Sequence, residues 1–380
     1  YKKCRELAGG MRYAPTTDSK GNGLDWYYFT LGGASYYESD FVEAEKNLSY
    51  LLENYPESEY AETASYLYAS SLGKLQQWQR SISLLDAYIA SAPVDETYIP
   101  FAYYDKAYAL YSMQKYPEAE KELDRFQGNF KESVIKPEAH ILLGNIYSIE
   151  RERTKAETEY KAAIRAGKRV GNHHAKEEAY YLLVSLLGQR TWDGLENQRL
   201  LEAIPQFEAF MKEADAHKSP YYTQIVTASF DALERAKRKD EAYAKLAEAI
   251  FLQSDKPNTP GIESAIKTYT IAKRREEVSD DETIKSLSDS KHHQNTPYHA
   301  GLILAIELDV LELSQKLSPK PERLEKIKQL YLNLHVEHDI TMLDNFVLIK
   351  IAEFMKTNGG IESDTNTKEY YQAVLNSGSK

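Results

Sequence analysis

Residues 31–48 read LGGASYYESDFVEAEKNL, and their spacing returns in YASSLGKLQQWQRSISLL (68–85), AYALYSMQKYPEAEKEL (107–123) and LGNIYSIERERTKAETEY (143–160). In each stretch a small residue (Ala44, Ser81, Ala119, Ala156) follows the expected start of a second helix by three places. A large residue (Leu48, Leu85, Leu123, Tyr160) comes four places later. The small residues lie 37, 38 and 37 positions apart. A stride in that range marks stacked helical hairpins, each burying its apolar face only against its neighbours. The expected fold is all-α, a solenoid of antiparallel hairpins, and such an array offers surfaces in place of a catalytic cleft.

Outward from these stretches, apolar residues keep helical spacing: Tyr28, Leu31, Gly32 and Ser35 on one helix, Phe41, Ala44, Leu48, Leu51 and Leu52 on the next. Pro56 is expected to stop that second helix. Residues 1–24 carry Gly9-Gly10, Pro15 and Gly21-Asn22-Gly23, which predicts an irregular lead. The array of about six hairpins is expected over 25–253. Its stride stretches beyond residue 170, where TWDGLENQR (191–199) reads as an insertion and Ala203 follows Ala156 by 47 positions. Residues 254–297 read as a connector of irregular chain and short helices. Helical pairs resume over 298–380, where the array is expected to be cut off before its end.

The four stretches resemble the tetratricopeptide repeat. Leu31-Gly32 and Leu143-Gly144 match the leucine and small-residue positions of its first helix, and Ala69 and Ala107 take the same small position. Phe41, Trp78 and Tyr116 match the aromatic near the start of the second helix. Pro56 and Pro93 match the terminal proline. Arg153 departs from the aromatic rule, and Lys131 and Lys168 stand where prolines would. The resemblance implies a right-handed superhelix whose first helices line an inner groove. The joint NYPESEYAETASYLYASSL (54–72) is similar to joints in the bacterial envelope subgroup, among them BamD-like lipoproteins and periplasmic cell-division coordinators. That similarity implies a periplasmic or envelope location, with cytoplasm as the alternative.

Carried over residue by residue, the groove positions are Trp26, Phe29, Gly33, Tyr36 and Tyr37, then Thr63, Tyr66, Ser70, Gly73 and Lys74. Phe101, Tyr104, Tyr108, Tyr111 and Ser112 follow, and last Glu138, Ile141, Asn145, Ser148 and Ile149. The aromatic members, Trp26, Phe29, Tyr36, Tyr37, Tyr66, Phe101, Tyr104, Tyr108 and Tyr111, are the expected partner contacts. Tyrosine offers a broad apolar face with little rotamer entropy to lose. With 30 tyrosines in the chain, packing between hairpins is the competing reading for this set. Phe29 and Gly33 stand where chaperone-binding members carry a carboxylate clamp, so an extended or helical peptide held by aromatic contacts suits these residues better.

The formal charge of −11 argues against nucleic acid, which selects for clustered Lys and Arg; short runs such as Lys273-Arg274-Arg275 read as solvated helix ends. No apolar run reaches the roughly 18 residues that a membrane helix needs. The lone Cys4 excludes an internal disulfide, and its Lys2-Lys3 context does not suit lipidation. The start at Tyr1 fits a leader already removed. Gly21-x-Gly23 lacks the third glycine and preceding strand of a phosphate cradle. His173-His174, His292-His293 and His335/His338 have no identifiable third metal ligand. The expectation is a non-enzyme without cofactor or metal that binds another protein or a peptide. Two alternatives stand beside it: a structural subunit assembling through repeat edges, and an enzyme with an unrecognised site in 255–297.

Overall fold

In the computed structural model, helices begin at Phe41, Trp78, Tyr116 and Arg153, the four starts that the spacing predicts. The structure describes residues 24–91, 96–188, 196–252, 259–290, 294, 296–337, 343–358, 370 and 372–375. The expectations for the lead with Cys4, for Pro93, for Trp192 and for His292, His293 and His338 lie outside these residues, as does the side chain of His335. Among the described residues the regular structure is helical throughout, with no strand. The fold is all-α, a solenoid of antiparallel helix hairpins.

The chain divides into two compact units, Tyr1–Lys176 and Glu177–Lys380. The first carries four hairpins: α1 (Leu24–Tyr37) with α2 (Phe41–Asn54), α3 (Ala61–Lys74) with α4 (Trp78–Ala90), α5 (Ile99–Ser112) with α6 (Tyr116–Asn129), and α7 (Lys136–Ile149) with α8 (Arg153–Val170). Each helix packs on the next in sequence, and α1, α3, α5 and α7 also touch in series, which leaves the first helices side by side. α9 (His173–Gly188) follows.

Close approach of the two helices of a hairpin explains the alternation of small and large residues. Ala44, Ala119 and Ala156 have no exposed surface and Ser81 nearly none, while Leu48, Leu85, Leu123 and Tyr160 are buried against the facing helix. A Cβ on Gly32 would lie 2.6 Å from Leu48 Cγ, and one on Gly144 would lie 2.6 Å from Tyr160 Cδ1. Each buried leucine contributes roughly 1.5–3 kcal/mol, so the steady stride of such pairs holds the array together. Ser81 fits because its hydroxyl donates to the Ala69 carbonyl at 2.8 Å.

The turns repeat as strictly as the core. Ser39, Gln76, Gln114 and Arg151 have φ of 64°, 60°, 60° and 64°, on the same 37, 38, 37 stride. At each, the N–H of the left-handed residue donates three residues back and the next N–H donates five residues back, as in Gln114 to Tyr111 (2.8 Å) and Lys115 to Leu110 (2.9 Å). This is the Schellman closure, which satisfies the last free carbonyls of the helix and turns the chain within three residues. Four side-chain-bearing residues hold a conformation that glycine usually takes, which is why glycine does not signal these turns.

Helix ends follow local chemistry. Pro56 disfavours helical backbone at Tyr55, and α2 ends at Asn54 with the Tyr55 N–H on Leu51 O at 2.7 Å. α6 stops before Lys131, whereas α8 runs past Lys168 to Val170 and ends on Gly171, φ 72°.

In the second unit lie α10 (Glu196–Met211), α11 (Tyr222–Arg235), α12 (Lys239–Leu252), α13 (Ile262–Arg275), α14 (Asp280–Ser288), α15 (Pro297–Leu317), α16 (Pro321–Glu337) and α17 (Asn345–Asn358). The same turn joins α11 to α12 at Lys237 (φ 61°) and α13 to α14 at Glu277 (φ 59°). Residues 262–288, read from the sequence as part of a connector, thus form a hairpin closed like those of the first unit. α14 is short and starts on a capping box between Ser279 and Glu282. Ala305, Leu308, Leu330, Leu334, Val347 and Ile351 form the core of the last three helices.

Candidate functional site

The nine aromatic residues singled out from the sequence fall into three groups. Trp26, at the start of α1, is exposed (43%), and Phe29 stacks on Tyr60 with centroids 4.8 Å apart. Tyr37, Tyr66 and Phe101 join a second group through Tyr98, and Tyr36 reaches it through Tyr37, with ring centroids 5.4 Å apart. Tyr98 stacks on Tyr66 at 4.7 Å, touches Phe101 at 6.4 Å and places its hydroxyl 3.2 Å from that of Tyr37. Tyr104, Tyr108 and Tyr111 form the third, in which Tyr108 meets Tyr104 and Tyr111 at 6.4 Å and Trp78 at 6.2 Å, and Tyr111 meets Tyr116 at 5.8 Å.

Accessibility separates them further. Tyr37 (46%) and Tyr108 (42%) stand out from the surface, Phe29, Tyr36, Phe101, Tyr104 and Tyr111 are half-buried, and Tyr66 is 3% exposed. Tyr66, on α3, packs between Tyr88 and Tyr98 and presents no free ring face. Tyr98, at the end of a 3₁₀ turn (Glu96–Tyr98) ahead of α5, was missed because a pattern carried over on helical positions does not extend to a turn.

A line of hydroxyls connects the first helices beneath these rings. Tyr36 Oη on α1 and Ser70 Oγ on α3 are 2.9 Å apart; Ser70 donates to Asp105 Oδ2 on α5 at 2.8 Å, and Tyr66 donates to the same oxygen at 3.0 Å. Burial pushes the Asp105 carboxyl above its usual range, opposed by the Ser70 hydrogen bond, by the charge of Lys74 and by the Tyr66 hydrogen bond. Burial and the Asp105 charge hold Tyr66 well above an ordinary phenol, and burial, then the Tyr98 hydroxyl, pushes Tyr37 up to about 12. These tyrosines are therefore neutral donors at physiological pH. Asp105 escaped sequence reasoning because its partners lie 35 and 39 residues away on a neighbouring hairpin.

Elsewhere, a cavity of about 540 Å³ in the second unit is lined by Arg274, Glu277, Asp280, Lys320, Arg323 and Lys326. Most of its cations are already engaged. Arg323 pairs with Asp280 at 3.1 Å and donates to the Ser318 carbonyl at 2.6 Å, Lys326 pairs with Glu307 at 2.9 Å, and Ser314 bridges Arg274 and Asp280. Among the described residues no group of three or more His, Cys, Asp or Glu side chains could hold a metal ion, and no helix is long and apolar enough to cross a membrane.

No protein-family model and no curated protein matches the sequence. In structure the chain is similar to the apo form of RapI, with a TM-score of 0.53 and 12% identity over 93% of this chain and 97% of that one. Fainter likenesses are to a monomeric mutant of IFIT1 with Gppp-AAAA (TM-score 0.39, 17% identity, 99% of this chain and 75% of that one) and to the APC/C hetero-tetramer Cut9-Hcn1 (0.35, 13%, 87% and 59%). Neither of these two carries weight here. The likeness to RapI is one of fold, and the fold of this chain is a TPR-like helical repeat.

Proposed function

We propose that this chain is a non-catalytic interaction scaffold whose first-helix face, from α1 to α5, binds a peptide segment of a partner protein. The observation that carries the reading is Tyr108, which stands 42% exposed at the centre of a ring cluster with Trp78, Tyr104 and Tyr111. Core packing does not require a tyrosine there, because Ala107, Ala109 and Leu110 already fill the buried side of α5. Exposed aromatic anchors on a rigid element are the residues that dominate protein contacts. The joint at 54–72 supports a place in a bacterial envelope complex.

Crosslinking in the native host followed by mass spectrometry identifies partners, and Tyr104→Ala with Tyr108→Ala is expected to lower the yield of the true one while far-UV circular dichroism stays unchanged. An undiminished yield removes this face from the account. Fractionation of the native cell tests the envelope location.

A further inference from the structure

Asp105 is the point where the chemistry of a bound peptide can be read. Its Oδ2 is occupied by the hydroxyls of Tyr66 and Ser70, while Oδ1 accepts no hydrogen bond from any described residue. Asp105 is a half-buried residue of α5, one residue after Tyr104 and three before Tyr108, on the helix that supplies the exposed Tyr108 ring. Lys74, whose charge acts on it, is exposed and makes no ion pair with it within 4.0 Å. A partly desolvated carboxylate with one oxygen free lacks the counter-charge that such groups ordinarily hold in folded proteins. The exposed ring of Tyr108, three residues on in the same helix, favours a cation, since the ring quadrupole attracts positive charge. The chain as a whole, at −11, does the same at long range.

We propose that Asp105 receives a basic side chain, arginine or lysine, of the peptide bound to the first-helix face; this inference rests on the peptide-binding reading above. The basic group donates to Oδ1, and the two hydroxyls on Oδ2 hold the carboxylate in place. Stitching α1, α3 and α5 together accounts for Oδ2 alone, so a purely structural role leaves half of the group unexplained.

The test uses the full chain and a random library of acetylated, amidated nine-residue peptides, with selected peptides identified by mass spectrometry. Basic residues are expected to be enriched. Remaking a selected peptide with glutamine in place of its arginine or lysine is expected to weaken binding tenfold or more to the wild-type chain and to change little against Asp105→Asn. Asparagine keeps an acceptor for Tyr66 and Ser70, and unchanged circular dichroism confirms the fold. Lys74→Gln, which removes a competing like charge, is expected to tighten the basic peptides. Selection without basic enrichment, or an equal loss against Asp105→Asn, overturns the inference. Peptides that bind through Tyr108 yet lack basic residues would sink this inference alone. Failure of the wild-type chain to select any peptide would remove the peptide-binding reading together with it.

Discussion

Burial drives the Asp105 carboxyl toward its neutral form, and the sign of the resulting pH dependence follows. A folded-state pKa raised above the unfolded value contributes stability that is fully present below about 3.8 and is lost as pH climbs through the folded value. Asparagine mimics the neutral acid and has no such loss. Asp105→Asn is therefore expected to gain stability relative to the wild type as pH rises above about 3.8, as read from urea midpoints; a relative loss on that rise would mean that the hydrogen bonds from Ser70 and Tyr66 and the charge of Lys74 outweigh burial. The left-handed turn residues make a second case at this scale. An L side chain at φ near 60° costs about 1–2 kcal/mol, and glycine gives back roughly 0.5–1 through unfolded-state entropy. Gln114→Gly is thus expected to stabilise the chain by up to about 1 kcal/mol, and Gln114→Val, whose branched Cβ tolerates this region worst, to destabilise it. Denaturant midpoints of the two variants decide the matter, and a fall for both would show that the Gln114 side chain matters more than its backbone.

Two helices can close into a hairpin only where one side of the contact is small, and the partner sixteen residues on sets how small. Gly32 faces Leu48 and Gly144 faces Tyr160, while Ala69/Leu85 and Ala107/Leu123 take the same spacing. Gly144→Ala drives a methyl into the Tyr160 ring and is expected to cost about 1–3 kcal/mol, the usual price of overpacking. Adding Tyr160→Leu recreates the alanine/leucine pair of the second and third hairpins and is expected to recover part of that loss, less the hydrogen bond from Tyr160 to Asn145 at 2.8 Å. A double-mutant cycle with a coupling near zero would show that the ring moves aside freely. These pairs, and with them the helix starts at Phe41, Trp78, Tyr116 and Arg153, were legible in the sequence because each recurs at a fixed offset within one hairpin. The turns were not, since Ser39, Gln76, Gln114 and Arg151 share a backbone conformation while their side chains are of three kinds. The face was legible only in part. Helical periodicity places Tyr66 and Tyr108 alike, yet Tyr98 from the preceding turn covers one of them and leaves the other open. The end of α8 shifted for a local reason, as helix-favouring residues continue through Lys168 to the glycine at 171.

Stability in a repeat array is close to a sum of neighbour terms, so a change in one hairpin is felt where its contacts are dense and fades beyond them. This chain divides into two compact units between Lys176 and Glu177, each with a core drawn from its own helices. Calorimetry of the full chain is expected to resolve two transitions, and a perturbation placed deep in one unit assigns them. Gly144→Ala serves, because Gly144 and Tyr160 are both buried within the first unit. For a unit of this size each kcal/mol lost shifts the midpoint by roughly 2–4 °C, so the transition of the first unit is expected to fall by several degrees while the other stays in place. A single transition that moves as a whole would mean that the units unfold as one body and that energy placed at Gly144 is shared by helices beyond α9. In that event binding at the first-helix face would also stabilise the second unit, and a peptide ligand would raise one common midpoint instead of one of two.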